Sequence, residues 1–376
     1  MTRPTVRLRG RALASAVIAA AAALLIGVGA PGAGAEEPQA PTEQELADSI
    51  NRGGRPVAVA DSGSSSGSSG SRSAVAAGAG PELSSAVAAF GYGLLNPNAA
   101  PAGANDWNCR PSAAHPRPVV LMHGTWMNAY DSFAYLSPRL ARAGFCVFAL
   151  NYGQANLLEG GGLGPIMPGR NGVGYMEDSA RQLAVFVDQV LAATGAAQVD
   201  VVAHSQGGTV ANQYLKFEGG APKVQRLISF GATHHGTSLL GIATLGRMIN
   251  NLGLDILGFY ELFVGHGNIQ QTVDSPFVRN LNRDGDTVPG IDYTAVGSRY
   301  DEVTNPYQLT FLTAGPGATV ANITLQDECE QDFSDHLTMM YSPRAAAITL
   351  RALDPVAFPD LVCAFNPWLV GGGGSL

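Results

Sequence analysis

Short apolar runs alternate with amphipathic stretches through the middle of the chain. Each run is continuous rather than alternating with polar residues, which predicts strands buried on both faces. Between the runs, apolar residues recur at helical spacing, as in the stripe from Leu183 to Leu191 that stops at Gly195. Strands that alternate with amphipathic helices predict an α/β fold with a mostly parallel sheet flanked by helices. The predicted strands lie at 118–122, 145–150, 199–203, 227–230, 294–297 and 323–325.

One segment departs from this pattern. Residues 238–264 are rich in leucine, isoleucine and phenylalanine but are interrupted by glycines and Asn250-Asn251. This stretch is too apolar for an ordinary surface helix, and its glycines weaken it as a rigid core element. Two interpretations stay open: a mobile cap over an apolar pocket, covering about 238–270, and a buried pair of helices.

The chain before the first predicted strand divides by composition. Arginines precede an apolar run from Ala12 to Val28, and Ala33-Gly34-Ala35 follows, so residues 1–35 are expected to be a cleaved secretory signal peptide; an uncleaved anchor is the alternative. The Gly/Ser-rich residues 36–82 predict a disordered linker. The folded domain is expected at 83–370, with a flexible tail at 371–376.

Composition narrows the class of protein. Hydrophobic residues make up 46% of the 376 residues, which is ample for a core, and the formal net charge is −8. No basic stripe is present, so a nucleic-acid partner is not expected. No second stretch is long and apolar enough to span a bilayer. Four cysteines fit two disulfides in an exported protein, with three pairings open: Cys109, Cys146, Cys329 and Cys363.

The run 199–208, V-D-V-V-A-H-S-Q-G-G, carries the candidate chemistry. An apolar strand ends in Ser205 between small residues, and a helical pattern follows. This layout is typical of a nucleophile elbow, a sharp turn that exposes a serine hydroxyl at the carboxyl end of a sheet. Ala203 stands where the G-x-S-x-G pattern has its first glycine. The structural alternative is a serine that only caps the next helix.

A nucleophilic serine needs a base and an acid, and in this fold the chain order is serine, acid, histidine. His234 and His235 come too early to leave room for an acid. His336 lies after the last predicted strand and is the expected general base. Asp301 follows the strand at 294–297 and is the expected acid, with Glu302 as its rival.

Two further sets of residues follow from the same frame. The backbone N–H groups of Thr125, after the first strand in H-G-T, and of Gln206 are the expected oxyanion donors. Asp332 and Asp335 are expected to be solvated or to support His336. Together with Asp327 they could hold a structural calcium ion, although the spacing matches no loop signature. No C-x-x-C spacing suggests zinc.

From about Asn105 to Phe365 the sequence resembles secreted bacterial triacylglycerol lipases of the class 2 lipase family, within the α/β-hydrolase superfamily. The matching pieces are V-L-M-H-G-T, A-H-S-Q-G-G, G-A-T-H-H-G-T, S-R-Y-D-E-V and S-D-H-L, in the family's order. The resemblance implies Ser205 as nucleophile, Asp301 and His336 as its partners, and Thr125 and Gln206 as oxyanion donors. The resembled lipases often carry alanine at the place of Ala203.

The resemblance also implies a disulfide bracketing the first helix, which agrees with a Cys109–Cys146 pair and leaves Cys329 to Cys363. Fatty-acyl esters are the expected substrates, at a lipid–water interface, with no organic cofactor or metal and a monomeric, extracellular protein. The residues expected to contact acyl chains are Trp126, Met127, Tyr152 and Leu239. The alternatives are an acyltransferase or polyester depolymerase with the same triad, and a catalytically silent cell-surface binding module.

Overall fold

The protein is represented by a computed structural model that describes residues 79–156, 161, 169–237, 265–368 and 370–374. The expected signal peptide, residues 36–78 of the expected linker, and residues 238–264 with Leu239 lie outside the described residues. The expected domain boundaries therefore stay predictions. Within the described ranges, helices are too short or too polar to cross a membrane.

A six-stranded, fully parallel sheet forms the centre of the fold, in the order β2-β1-β3-β4-β5-β6. The inner strands β1 and β3 are buried along their whole length, as their continuous apolar runs predict. The strands are β1 (Val119–Met122), β2 (Val147–Leu150), β3 (Val199–His204), β4 (Val224–Phe230), β5 (Asp292–Gly297) and β6 (Thr319–Thr324).

Helices connect the strands and cover the sheet. The helix after β3 begins directly behind Ser205 and packs its apolar side against the sheet. The helices are α1 (Ala86–Leu95), α2 (Ala129–Phe133), α3 (Leu136–Arg142), α4 (Met176–Thr194), α5 (Gln206–Phe217), α6 (His266–Gln270), α7 (Pro276–Asn282) and α8 (Pro343–Leu353). This parallel sheet between helices is the α/β-hydrolase type of architecture, as the sequence predicts.

The helical spacing of the apolar residues Phe133, Leu136 and Leu140 predicts one helix, but the structure has two, α2 and α3. Pro138 has no N–H for the carbonyl of Ala134, and its ring would clash with that carbonyl in a continuous helix. The proline is accepted because it lies in the first turn of α3. The N-cap of α2 is Asn128, in a reciprocal capping box with Asp131.

Two disulfides fasten the edges of the fold. Cys109 is bonded to Cys146 beside β2, and Cys329 is bonded to Cys363, which ties the loop after β6 to the C-terminal segment. Both pairings are the ones expected. The second disulfide stands seven residues before His336, so it restrains the segment that carries this histidine.

Candidate active site

The carboxyl ends of the strands meet at one edge of the sheet, and Ser205 stands at the end of β3. Its backbone has φ 53° and ψ −127°, a left-handed φ that costs a residue with a side chain roughly 1–3 kcal/mol. Its N–H donates to the carbonyl of Phe230 at 2.8 Å, which fastens the turn to the end of β4. The serine is therefore held in the strained turn expected of a nucleophile elbow.

The residues behind the serine show why this turn needs small side chains. A Cβ on Gly207 would lie 2.5 Å from the carbonyl oxygen of Met122, and one on Gly208 would lie 2.6 Å from the Cβ of Ala232. Both distances are below any real contact, so helix α5 can start this close to β1 and β4 only with glycine at both positions. Ala203, by contrast, fits with its methyl group fully buried in the sheet.

The predicted acid and base are brought together on loops after β5 and β6. Nδ1 of His336 lies 2.9 Å from Oδ2 and 3.0 Å from Oδ1 of Asp301. The Asp301 Oδ1 atom also accepts the backbone N–H groups of Val303 at 2.9 Å and Thr304 at 2.7 Å. The carboxylate is thus fixed by its own loop, and it fixes the orientation of the imidazole.

This pair lies over the turn after β4. A Cβ built on Gly231 would come within 2.9 Å of Asp301 Oδ2 and 3.1 Å of His336 Nδ1. Gly231 follows Phe230, the residue whose carbonyl accepts the Ser205 N–H. Ser205 and the His336–Asp301 pair therefore both lie against the carboxyl end of β4, and all three side chains are buried.

Electrostatics favour the charged form of the histidine. Burial by itself would lower the pKa of His336, but the negative charge and hydrogen bond of Asp301 outweigh burial and raise the pKa above the ordinary value. An imidazole stabilised in this way is suited to hold a proton taken from a serine hydroxyl.

Two neighbours of His336 were not identified from the sequence as its supports. The Nε2–H of His204, the residue before the serine, donates to the carbonyl of His336 at 2.8 Å. Burial lowers the pKa of His204 to about 3, so this ring stays neutral. Glu302 accepts the backbone N–H of His336 at 3.2 Å. Glu302 thus contacts the main chain of His336, whereas Asp301 contacts its ring.

The other histidines near this edge have structural partners. His234 is buried with Nε2 at 3.0 Å from the Ser229 hydroxyl, and His235 pairs with Asp286 at 3.0 Å. Neither shares the contact of His336 with Asp301.

The expected oxyanion side lies against the serine. A Cβ on Gly124 would be 3.1 Å from the Cβ of Ser205, so the loop after β1 lies directly against Ser205. Thr125 follows in this loop. Gln206 is the first residue of α5, where the backbone N–H has no acceptor inside the helix and is available to an anion. Its side chain turns away and donates to the carbonyl of Gly172 at 3.0 Å.

A buried ion pair supports this loop from behind, and no local sequence pattern predicts it. Nη2 of Arg170 lies 2.8 Å from Oδ2 of Asp131, and both side chains are shielded from water. Nη1 of Arg170 donates to the carbonyl of Trp126 at 2.8 Å. Burial raises the pKa of Asp131 to about 7 in spite of the adjacent guanidinium. Arg170 therefore anchors the loop that continues from Thr125.

The residues expected to contact acyl chains have different surroundings. Trp126 is 39% exposed, and Met127, the next residue, is buried. Tyr152 is fully buried, stacks on His123 and donates its hydroxyl to the His123 carbonyl at 2.6 Å. Its role in the structure is therefore to hold the end of β1. Leu239 lies outside the described residues.

The acidic residues near His336 are engaged within the fold. Asp332 and Asp335 are fully buried, so of the two expectations, solvated or supporting His336, the first is wrong. Asp332 accepts from Ser334 and Ser342, and Asp335 accepts the backbone N–H and hydroxyl of Thr338. These bonds shape the loop that carries His336. Across the described part of the chain, no group of three or more candidate ligands is close enough to hold a metal ion.

Comparison with solved structures supports the fold. Lipase B of Aspergillus fumigatus is similar at 21% identity and a TM-score of 0.51, covering 68% of this chain and 55% of that chain. The match thus spans about half the length of the fungal protein. The mature lipase BlEst2 of Bacillus licheniformis is similar at 14% identity over 65% of this chain and 94% of that chain, with a TM-score of 0.44.

The family follows from the sequence. The family model described as Lipase (class 2) matches residues 116–346, which include the elbow and the His336–Asp301 pair. The chain belongs to the class 2 lipase family. Membership of this family supports ester hydrolysis in general.

Proposed function

We propose that this chain is a secreted serine hydrolase that cleaves fatty-acyl esters, such as triacylglycerols, through a Ser205–His336–Asp301 triad. The observation that carries the proposal is the hydrogen-bonded His336–Asp301 pair next to a strained serine turn, in a chain of the class 2 lipase family. A silent binding module would have no need to retain this costly arrangement of a strained serine and a buried charged pair.

In the acylation step, Ser205 Oγ attacks the ester carbonyl carbon while Nε2 of His336 takes the hydroxyl proton. Asp301 holds the Nδ1–H of the ring and stabilises the imidazolium that forms. The C–O bond to the alcohol then breaks, and the proton on His336 passes to the leaving oxygen. Water repeats the sequence on the acyl-enzyme, which releases the fatty acid and restores Ser205.

The negative charge that develops on the carbonyl oxygen needs hydrogen-bond donors on the side of the substrate away from His336. The N–H groups of Gln206 and Thr125 are suited to this role, because α5 begins at Gln206 and its dipole favours an anion there. The contact of Gly124 with Ser205 supports the assignment, since it keeps the donor loop next to the reacting serine. No organic cofactor or metal enters these steps.

The apolar surroundings support a fatty-acyl substrate. Exposed Trp126 and buried Met127 line the donor loop, and the leucine-rich residues 238–264 are inserted directly before α6. Two disulfides support an oxidising, extracellular location, together with the signal-peptide pattern at residues 1–35.

The proposal is tested with the purified chain, a fluorophosphonate probe and p-nitrophenyl esters of rising chain length. Wild type is expected to be labelled once, at Ser205, and to hydrolyse long-chain esters. The Ser205→Ala variant is expected to lose labelling and to retain less than about a thousandth of the turnover. Absence of labelling in folded wild type would refute the serine mechanism, and activity confined to short soluble esters would refute the lipid substrate.

The chain offers a matched control for the base. His235 forms the same kind of contact with a carboxylate, Asp286, but away from Ser205. His336→Asn is expected to abolish labelling, whereas His235→Asn is expected to cost stability and leave labelling intact. Equal loss in both variants would mean that the histidine–carboxylate pairs act only through folding. With glycerol or another alcohol added to the same assay, acyl transfer would yield a new ester in place of the free acid.

A further inference from the structure

A buried glutamine links the segment after α6 to the expected oxyanion loop. Nε2 of Gln271 donates to the hydroxyl oxygen of Thr125 at 2.9 Å and to the carbonyl of Gly267 at 3.0 Å. Its Oε1 accepts the hydroxyl of Thr233 at 2.9 Å. Gln271 is 2% exposed, and all of its side-chain hydrogen-bonding groups face protein rather than water.

These partners fix which end of the amide faces which group. A backbone carbonyl can only accept, so the NH₂ end of Gln271 must face Gly267 and therefore also Thr125. The Oε1 end must then face Thr233, whose single hydroxyl hydrogen is used in this bond.

The direction of the next bond follows in turn. Thr209 and Thr233 have hydroxyl oxygens 2.9 Å apart, and since the Thr233 hydrogen is already donated, Thr209 is the donor. The hydrogen bonds run one way, from Thr209 on α5 through Thr233 and Gln271 to Thr125. Bonds aligned in this manner polarise one another and strengthen the last donor of the row.

The hydroxyl of Thr125 is the end of this row. The Thr125 hydroxyl oxygen accepts a hydrogen bond from Gln271, which occupies one of its lone pairs. The hydroxyl hydrogen of Thr125 therefore points away from Gln271. Thr125 adjoins Gly124, which touches Ser205, and is only partly buried. A substrate oxyanion bound at Ser205 is the acceptor that this hydrogen would meet.

We propose that the Thr125 hydroxyl is a third oxyanion donor beside the two backbone N–H groups, and that Gln271 is the residue that positions it. The proposal rests on the proposed function, because it assumes attack by Ser205. It also gives a role to the segment that carries Gln271, which follows residues 238–264 in the chain. Thr237, before residues 238–264, donates its N–H to the carbonyl of Gln271 at 2.8 Å, which fastens both ends of the insertion beside the positioning residue.

The test is a double-mutant cycle on kcat and KM with a short, soluble p-nitrophenyl ester. Thr125→Val is expected to lower kcat about a hundredfold with little change in KM, as is typical for loss of one oxyanion donor. Gln271→Met is expected to lower kcat about tenfold, because the hydroxyl remains but is no longer oriented. In the Thr125→Val background, Gln271→Met is expected to change kcat by less than about twofold.

Two comparisons separate positioning from folding. Thr125→Ser keeps the hydroxyl, so it should retain most of kcat and remain sensitive to Gln271→Met. Gln270 is the adjacent control: its side chain contacts Met176 N and Glu177 at the start of α4 and not Thr125. Gln270→Met is expected to leave kcat unchanged even if it lowers the melting temperature as much as Gln271→Met does.

An equal effect of Gln271→Met with and without the Thr125 hydroxyl would overturn the proposal, and so would an unchanged kcat. Should Gln271→Met fail to fold, Gln271→Glu serves instead, since its carboxylate can still accept from Thr233 but draws the Thr125 hydrogen away from the site. Its kcat should then fall at least tenfold, and retention of kcat would overturn the proposal. Fluorophosphonate labelling of wild type reports separately on the proposed function.

Discussion

Gly231 offers the sharpest test of how the candidate triad is assembled. It has φ +54°, and it is the residue over which Asp301 and His336 lie. Replacing it with alanine adds one methyl group. The added Cβ would lie 2.9 Å from Asp301 Oδ2 and 3.1 Å from His336 Nδ1, compared with ordinary contacts of at least 3.4 Å. The pair must therefore move by several tenths of an ångström or separate.

Gly219 provides the matched control. Its φ is +77°, so alanine is strained there as well, but a Cβ at this position would have no heavy atom within 4 Å. Both substitutions should cost about 1–2 kcal/mol of unfolding free energy from the left-handed backbone alone. Only Gly231→Ala should also lower the rate of ester hydrolysis. A displacement of about 1 Å costs about a hundredfold in rate, so a shift of half that size should lower kcat/KM about tenfold.

The assay combines ester hydrolysis with urea unfolding of both variants at one pH. Gly231→Ala is expected to show lower kcat/KM and slower fluorophosphonate labelling than Gly219→Ala at similar stability. If the two variants kept kcat/KM within about twofold of each other, the pair over Gly231 would not be part of the reacting group. If the Gly231→Ala variant had low activity but its crystal structure showed an undisturbed His336–Asp301 bond, the steric reasoning would be contradicted.

The remaining predictions concern pH and a disulfide. Because Asp301 raises the pKa of His336, the base is lost to protonation as pH falls through a value above 6.5, so log kcat/KM should decline below that point. Asp301→Asn should move this decline to lower pH and reduce kcat about 10⁴-fold, which a pH–rate profile measures; an unmoved profile would assign the shift to another group. Replacing Cys329 and Cys363 by alanine removes a disulfide between residues that are 34 positions apart, and this should lower the unfolding free energy by about 4 kcal/mol. A smaller loss in chemical denaturation would contradict this value.

Features encoded locally could be predicted from the sequence. The parallel sheet follows from continuous apolar runs separated by helical stripes. Each observed strand overlaps a predicted one, although β4 and β6 begin three and four residues earlier than predicted, and β6 is buried only at its last residue. Ser205 could be predicted as the candidate nucleophile because an elbow requires a strand, a serine and small residues within ten positions. His336 and Asp301 were found because the fold fixes the order of strand ends along the chain. The structure then brings their side chains together.

Contacts between distant segments could not be predicted in the same way. Arg170 follows a glycine-rich stretch and resembles any surface arginine, yet it pairs with Asp131 and holds Trp126. Gln271 donates to Thr125, 146 positions earlier. Such bonds leave no spacing or periodicity in one sequence, because they depend on how loops from different strands pack. The break between α2 and α3 differs from these contacts, because Pro138 by itself predicts an interruption of the helix.

The polar contacts around Ser205 argue for a site whose shape is set before substrate arrives. Buried polar groups are costly unless they are satisfied, so each of these bonds restricts its loop to one arrangement. Asp301 is held by two backbone N–H groups, and His336 is held through its carbonyl by His204. Stabilising an oxyanion requires donors that need no reorganisation during the reaction. The side-chain bonds between the loops at this edge supply that fixed geometry.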